Sequence, residues 1–170
     1  MLGASDAASW YRLASPFSAA NMQVNVAGYV DTSYKGRNQS LTDLVDLIQC
    51  VITARRGNYL VFFPSYDYLR SAVQVFENRF PQIALLVQQR KMFDEERQNF
   101  LSAFKDGGEV CGFAVMGGAF SEGVDLKGNR LIGAVVVGVG LPQIGIERDL
   151  IRNHYPEAGF EYAYQYPGLV

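Results

Sequence analysis

Three consecutive stretches decide the fold of this chain: Val110-Cys-Gly-Phe-Ala-Val-Met116, then Gly117-Gly-Ala-Phe-Ser-Glu-Gly-Val-Asp-Leu126, then Leu131-Ile-Gly-Ala-Val-Val-Val-Gly-Val-Gly-Leu141. The first and third are short, apolar and rich in β-branched and aromatic residues. Such runs read as strands buried on both faces, as in a parallel sheet. Between them, two glycines end the first strand, and Ser121, Glu122, Gly123 and Asp125 follow within a few residues. That describes a polar loop leaving the carboxyl edge of an α/β sheet, the edge at which such sheets bind ligands.

Upstream, strand-like and helix-like segments alternate. Ser40-Leu-Thr-Asp43 has capping-box spacing, with Asp in place of the commoner Glu, and Leu41, Leu44, Val45, Ile48, Val51 and Ile52 follow at helical spacing up to Gly57. Tyr59-Leu-Val-Phe-Phe63 is a buried strand broken by Pro64-Ser65. Ser65 then serves as N-cap of a helix with Leu69, Val73, Phe76 and Phe80 on its apolar face, ended by Pro81. Ile83-Ala-Leu-Leu-Val87 is the next strand. Asp94-Glu-Glu96 opens a third helix, acidic at its N-terminus as the helix dipole favours, with Phe93, Phe100, Leu101 and Phe104 on one face. The pattern predicts one domain over residues 1–170, a three-layer α/β/α sandwich with a mostly parallel sheet and right-handed crossovers.

The flanks are less regular. Trp10, Tyr11, Leu13 and Phe17 supply apolar anchors in an extended lead-in, and Met22-Gln-Val-Asn-Val-Ala27 alternates as an edge strand does. Ile146 to Asn153 fits a short helix stopped by Pro156. The last eleven residues hold three tyrosines and a phenylalanine, which is expected of a piece of a larger protein rather than of a solvated tail.

Composition narrows the function classes. In 170 residues, 49% are hydrophobic and 19% charged, which fits a globular chain with a substantial core. The longest apolar stretch, Leu131 to Ile146, is interrupted by glycines, Pro142 and Gln143, so no membrane span is expected. No basic-then-apolar leader stands at the N-terminus, and a cytoplasmic location is expected. Cys50 and Cys111 are too few and too far apart for a metal or iron–sulfur cluster and read as buried thiols, while the single His154 reads as a surface residue. A net charge of −2 announces no global nucleic-acid field, though backbone amides and helix N-termini can line a groove locally.

Common enzyme templates fail. No GxxxxGK[ST] phosphate loop is present. Gly138-Val-Gly140 lacks dinucleotide spacing, because Pro142 intervenes before Gly145. A triad on Ser121 would need His154 and a GxSxG setting that is missing.

The central loop, Gly117-Gly118-Ala-Phe-Ser121-Glu122-Gly123-Val-Asp125-Leu-Lys-Gly128 with the following strand and Gly140-Leu-Pro142, resembles helicase motif V of the DinG and XPD branch of superfamily 2 helicases. Gly57-Asn-Tyr-Leu-Val-Phe-Phe-Pro-Ser65-Tyr66 resembles the segment that opens the second motor domain's sheet in that branch, and Ser15-Pro-Phe17 fits its lead-in. The resemblance spans nearly the whole chain. It implies the second of two RecA-like motor domains that clamp ATP between them and walk along single-stranded DNA. The partners it implies are ATP with Mg²⁺, single-stranded DNA and the N-terminal motor domain of the same protein.

In that role Gly123 lets backbone approach a nucleotide and Asp125 accepts hydrogen bonds from ribose hydroxyls. Ser65, Tyr66 and Ser121 serve DNA phosphates. Structural alternatives are Asp125 as a cap on backbone amides, Ser65 as an N-cap only and Tyr66 as core; Glu122, a solvated side chain or a partner of a neighbouring arginine, is assigned no role. The family's next motif, an arginine-bearing helix that reaches the ATP phosphates, is missing, as are the first motor domain and the cysteines that hold an iron–sulfur cluster in many members. The isolated chain is therefore expected to be inactive. Two other accounts are a standalone non-catalytic RecA-like module that binds nucleotide or protein, and a DinG relative whose fused exonuclease is the working part.

Overall fold

The computed structural model describes residues 9, 11–121, 124–141, 145–155 and 157–165. Four strands, β1 (Tyr59–Phe63), β2 (Leu85–Val87), β3 (Cys111–Val115) and β4 (Gly133–Val136), form one parallel sheet in the order β2-β3-β1-β4. The α-helices are α1 (Leu41–Ala54), α2 (Tyr66–Arg79), α3 (Asp94–Ser102) and α4 (Ile146–His154), with short 3-10 turns at Ala19–Asn21 and Gly128–Arg130 and the turn Glu161–Gln165 packed on α4.

Successive side chains of a strand point to opposite faces, and the core divides accordingly. Val61 and Phe63 of β1 and Cys111, Phe113 and Val115 of β3 meet Leu44, Val45 and Ile48 of α1 and Tyr68, Leu69, Ala72 and Phe76 of α2. Phe113 lies at the centre of this layer, with ring centroids 5.0 Å from Phe63 and 5.6 Å from Phe76. Leu60 and Ala114 face the other way, toward Phe100 and Phe104 of the α3 segment. That close approach requires Gly112, where a Cβ would come within 2.7 Å of the Phe104 ring. Three layers result, as the alternation of runs predicts.

Several local expectations are corrected. Met22 to Ala27 joins no strand, and Val24 and Val26 are exposed, because none of the four strands offers it a hydrogen-bonding partner. Tyr11, Leu13 and Phe17 are exposed rather than seated as anchors, and Phe93 is exposed rather than on the buried face of α3; Trp10 lies outside the described residues. Ser40 does not cap α1 through its side chain, because its hydroxyl donates instead to the Asp31 carbonyl at 2.6 Å. Half of a capping box occurs on α3, where the Glu96 carboxylate accepts from the Phe93 N–H. The third apolar stretch is a strand only over β4. It lies at the sheet edge and alternates in burial, with Val136 62% exposed.

Cys111 is buried as expected, but Cys50 is exposed on α1. Burial pushes the Cys111 thiol up to about 12, so almost no thiolate exists at pH 8. A maleimide at pH 8 is expected to modify Cys50 and spare Cys111, read by peptide mass spectrometry. Equal labelling of both in the folded protein would contradict this packing.

Candidate functional site

In a parallel sheet the loops after all strands emerge at one edge, and here that edge gathers three segments. After β1 comes Pro64-Ser65 and the N-terminus of α2; after β2, Gln88-Gln89-Arg90; after β3, the loop that opens with Gly117, whose φ of +67° suits glycine.

Ser65 is the N-cap of α2, and its Oγ accepts from the Tyr68 N–H at 3.3 Å. Accepting that bond leaves the hydroxyl proton free to donate to an anion. Tyr66, the first residue of α2, is half-buried against the core, and its hydroxyl accepts from Gln88 Nε2 at 2.9 Å. The ring is thereby fixed, and Arg90 lies over it at 5.2 Å from the centroid.

Gln88 is the residue that sequence reasoning missed. It is 4% exposed, and its Oε1 accepts from the Val115 N–H at 2.8 Å while its Nε2 holds Tyr66. Its amide also bounds the space at Gly118, where a Cβ would come 3.0 Å from Nε2. One buried amide therefore joins the end of β3, the start of its loop and the N-terminus of α2. The only sequence signal was a polar residue directly after an apolar strand.

Beyond Gly118 the described residues of the crossing to β4 form no α-helix, only the short 3-10 turn Gly128–Arg130. Ser121 Oγ donates to the Gly118 carbonyl at 2.8 Å, so its proton is engaged in a turn and only its lone pairs are free. Phe120 is 2% exposed and stacks on Phe100 at a centroid distance of 4.1 Å, and Val124, Leu126 and Leu131 join the same cluster. At the far end Arg130 Nε donates to the Phe104 carbonyl at 2.9 Å, satisfying the end of the α3 segment. The buried Asn58 Oδ1 accepts from Val110 N–H at 2.9 Å, and its Nδ2 donates to the Lys105 carbonyl at 2.6 Å.

Asp125 is exposed on this crossing, with Oδ2 3.2 Å from Lys127 Nζ. Exposed pairs of this kind contribute about 0–1 kcal/mol, so the carboxylate remains available to a ligand. Glu122 and Gly123 lie outside the described residues. The structure thus brings Ser65, Tyr66 and the start of the loop together through Gln88, whereas Asp125 is held separately by the α3-side crossing.

Parallel strands with helices on both faces, and loops gathered at the carboxyl edge, define a RecA-like α/β domain. Two solved structures share it: the apo form of XPD, with TM-score 0.61 and 20% identity over 83% of this chain and 29% of that one, and an XPD helicase, with TM-score 0.59 and 21% identity over 83% and 26%. Residues 48–169 match the helicase C-terminal domain, and the chain belongs to that family.

Among curated relatives, the ATP-dependent DNA helicase CHL1 of Saccharomyces cerevisiae is 32% identical over 106 residues, 59% of this chain and 12% of that protein. The ATP-dependent DNA helicase chl-1 of Caenorhabditis elegans is 30% identical over 118 residues, 64% of this chain and 14% of that protein. The matched part of the chain is thus a small fraction of each relative's length.

Proposed function

We propose that this chain is the second motor domain of a DinG/XPD-type ATP-dependent DNA helicase, contributing nucleotide and single-stranded DNA contacts to a site completed by other parts of the protein. The observation that carries this reading is the Gln88 joint. It ties the N-terminus of α2, which favours anions, to the start of the Gly117–Leu126 loop, so a ligand that moves one shifts the other. The names of the curated relatives support ATP and DNA as the ligands.

Ser65 donates its free hydroxyl proton to a DNA phosphate, Tyr66 presents its fixed ring beside it, and Ser121 adds a contact once its turn bond is exchanged. Gly123 and Asp125 serve the nucleotide, with the Asp125 carboxylate accepting from ribose hydroxyls. Among the described residues no group of three or more His, Cys, Asp or Glu is placed to hold a metal. In this reading Mg²⁺ bound with ATP, and any iron–sulfur cluster, are held by the other parts of the protein, as the resemblance to two-domain motors implies. Charge developing on the γ-phosphate is handled there too.

Asp125→Ala in the intact protein is expected to lower DNA-stimulated ATPase about ten- to hundredfold, the worth of one or two hydrogen bonds to a charged acceptor. Thermal unfolding should be unchanged, since the side chain is exposed. Wild-type ATPase in this variant would remove Asp125 from the nucleotide site.

A further inference from the structure

Arg37 lies in the loop before α1, its guanidinium carbon 4.7 Å from the Tyr34 ring centroid and 5.1 Å from that of Tyr68. Among the described residues it has no carboxylate within ion-pair distance. Asp31, in the same loop, uses Oδ1 to accept from the Ser33 N–H at 2.8 Å and packs against Gly36. A guanidinium resting on aromatic rings is weakly hydrated and keeps its in-plane N–H donors for a ligand.

The position matters as much as the chemistry. Thr32 of the same loop packs on Gly138, just beyond β4, where a Cβ would come 2.8 Å from Thr32 Oγ1. Tyr68 belongs to the first turn of α2, and helical side chains lean toward the helix N-terminus, so Arg37 stands at that end. A further arginine–tyrosine pair, Arg90 on Tyr66, flanks the same N-terminus from the β2 side. Since β2 and β4 are the two edges of the sheet, the pairs bracket Ser65 from opposite sides.

We infer that Tyr34 and Arg37 form a further contact for single-stranded nucleic acid, with a base stacked on the outer face of Tyr34 and a backbone phosphate on Arg37. Tyr34 is 82% exposed: Arg37 covers one face of the ring, and the other is open to a base. The strand then runs from this contact across Ser65 and Tyr66 toward Arg90. The inference rests on the DNA-motor reading and extends it to a segment outside both loops that carry that reading.

The test is a titration of the intact protein with fluorescein-labelled dT20, without nucleotide, at several KCl concentrations. Tyr34→Ala is expected to weaken binding about five- to hundredfold, and Tyr34→Phe, which keeps the ring face, to restore most of it. Arg37→Ala is expected to weaken binding and lower the log–log salt slope by ~0.7, the value for one single-strand phosphate, while Arg37→Lys keeps the slope. Should Arg37→Ala lose stability because it uncovers Tyr68, Tyr34→Ala decides alone, its side chain lying outside the core. Wild-type affinity in Tyr34→Ala, with binding weakened in Ser65→Ala, would overturn this inference and leave the motor reading standing. A wild-type protein that does not bind dT20 would sink both.

Discussion

Phe120→Ala is expected to destabilise the α3 side of the domain by about 3–5 kcal/mol, the usual cost of truncating a buried phenylalanine. Phe120 is the anchor of a crossing in which the described residues form no α-helix, only the short 3-10 turn Gly128–Arg130. Its ring stacks on Phe100 at 4.1 Å and closes the cluster with Leu60, Phe104 and Ala114. Removing it leaves a cavity against Phe100 and detaches the Gly117–Leu126 loop from the sheet. Hydrogen exchange over β3 and residues 124–131 of the intact protein measures the effect locally, where a global melting curve would mix domains. Loss of protection by two or more orders of magnitude is expected, with α1 and α2 less affected. Phe120→Leu should recover more than half of it. Protection within threefold of wild type in Phe120→Ala would show that the ring does not anchor the loop.

Gln88→Leu is expected to cost about 1–3 kcal/mol by leaving the buried Val115 N–H without an acceptor, and to weaken oligonucleotide binding by releasing Tyr66. Gln88→Glu separates the two effects. A carboxyl at this site keeps an acceptor for Val115 N–H and is neutral at low pH, but burial raises its pKa above the unfolded value. The variant's stability is therefore close to wild type below the ordinary glutamate range. It falls as pH rises through the raised value, because the unfolded chain then holds fewer protons than the folded one. Urea unfolding of the variant at pH 5 and pH 8, each compared with wild type, checks the sign. Equal deficits at both values would mean that the amide is not the buried joint described.

The candidate site was legible where its signals are local. Ser65 stands between a buried strand and an amphipathic helix, and an N-cap there needs only the following turn. Gly117 marks the exit from β3 because the chain reverses there, and its positive φ agrees. Gln88 was not legible, since its two partners lie 27 and 22 residues away and nothing nearby distinguishes it from Gln89. Ser40 misled in a different way, since its local signal was present but its hydroxyl bonded elsewhere. A capping signature predicts a local bond, and the nearby Asp31 carbonyl took the hydroxyl instead.

By itself the sequence determined the alternation of strands and helices, the two apolar faces of each central strand and the polar loop at the sheet's carboxyl edge. All three are periodicities or turn preferences that act within a few residues. Only the tertiary structure decided that β4 lies at an edge with one face open, that Cys50 is exposed while Cys111 is buried, and that a single glutamine joins α2 to the loop after β3. Strand order and side-chain partnership depend on which distant segments meet, and an apolar run reads alike whether one or both of its faces are covered.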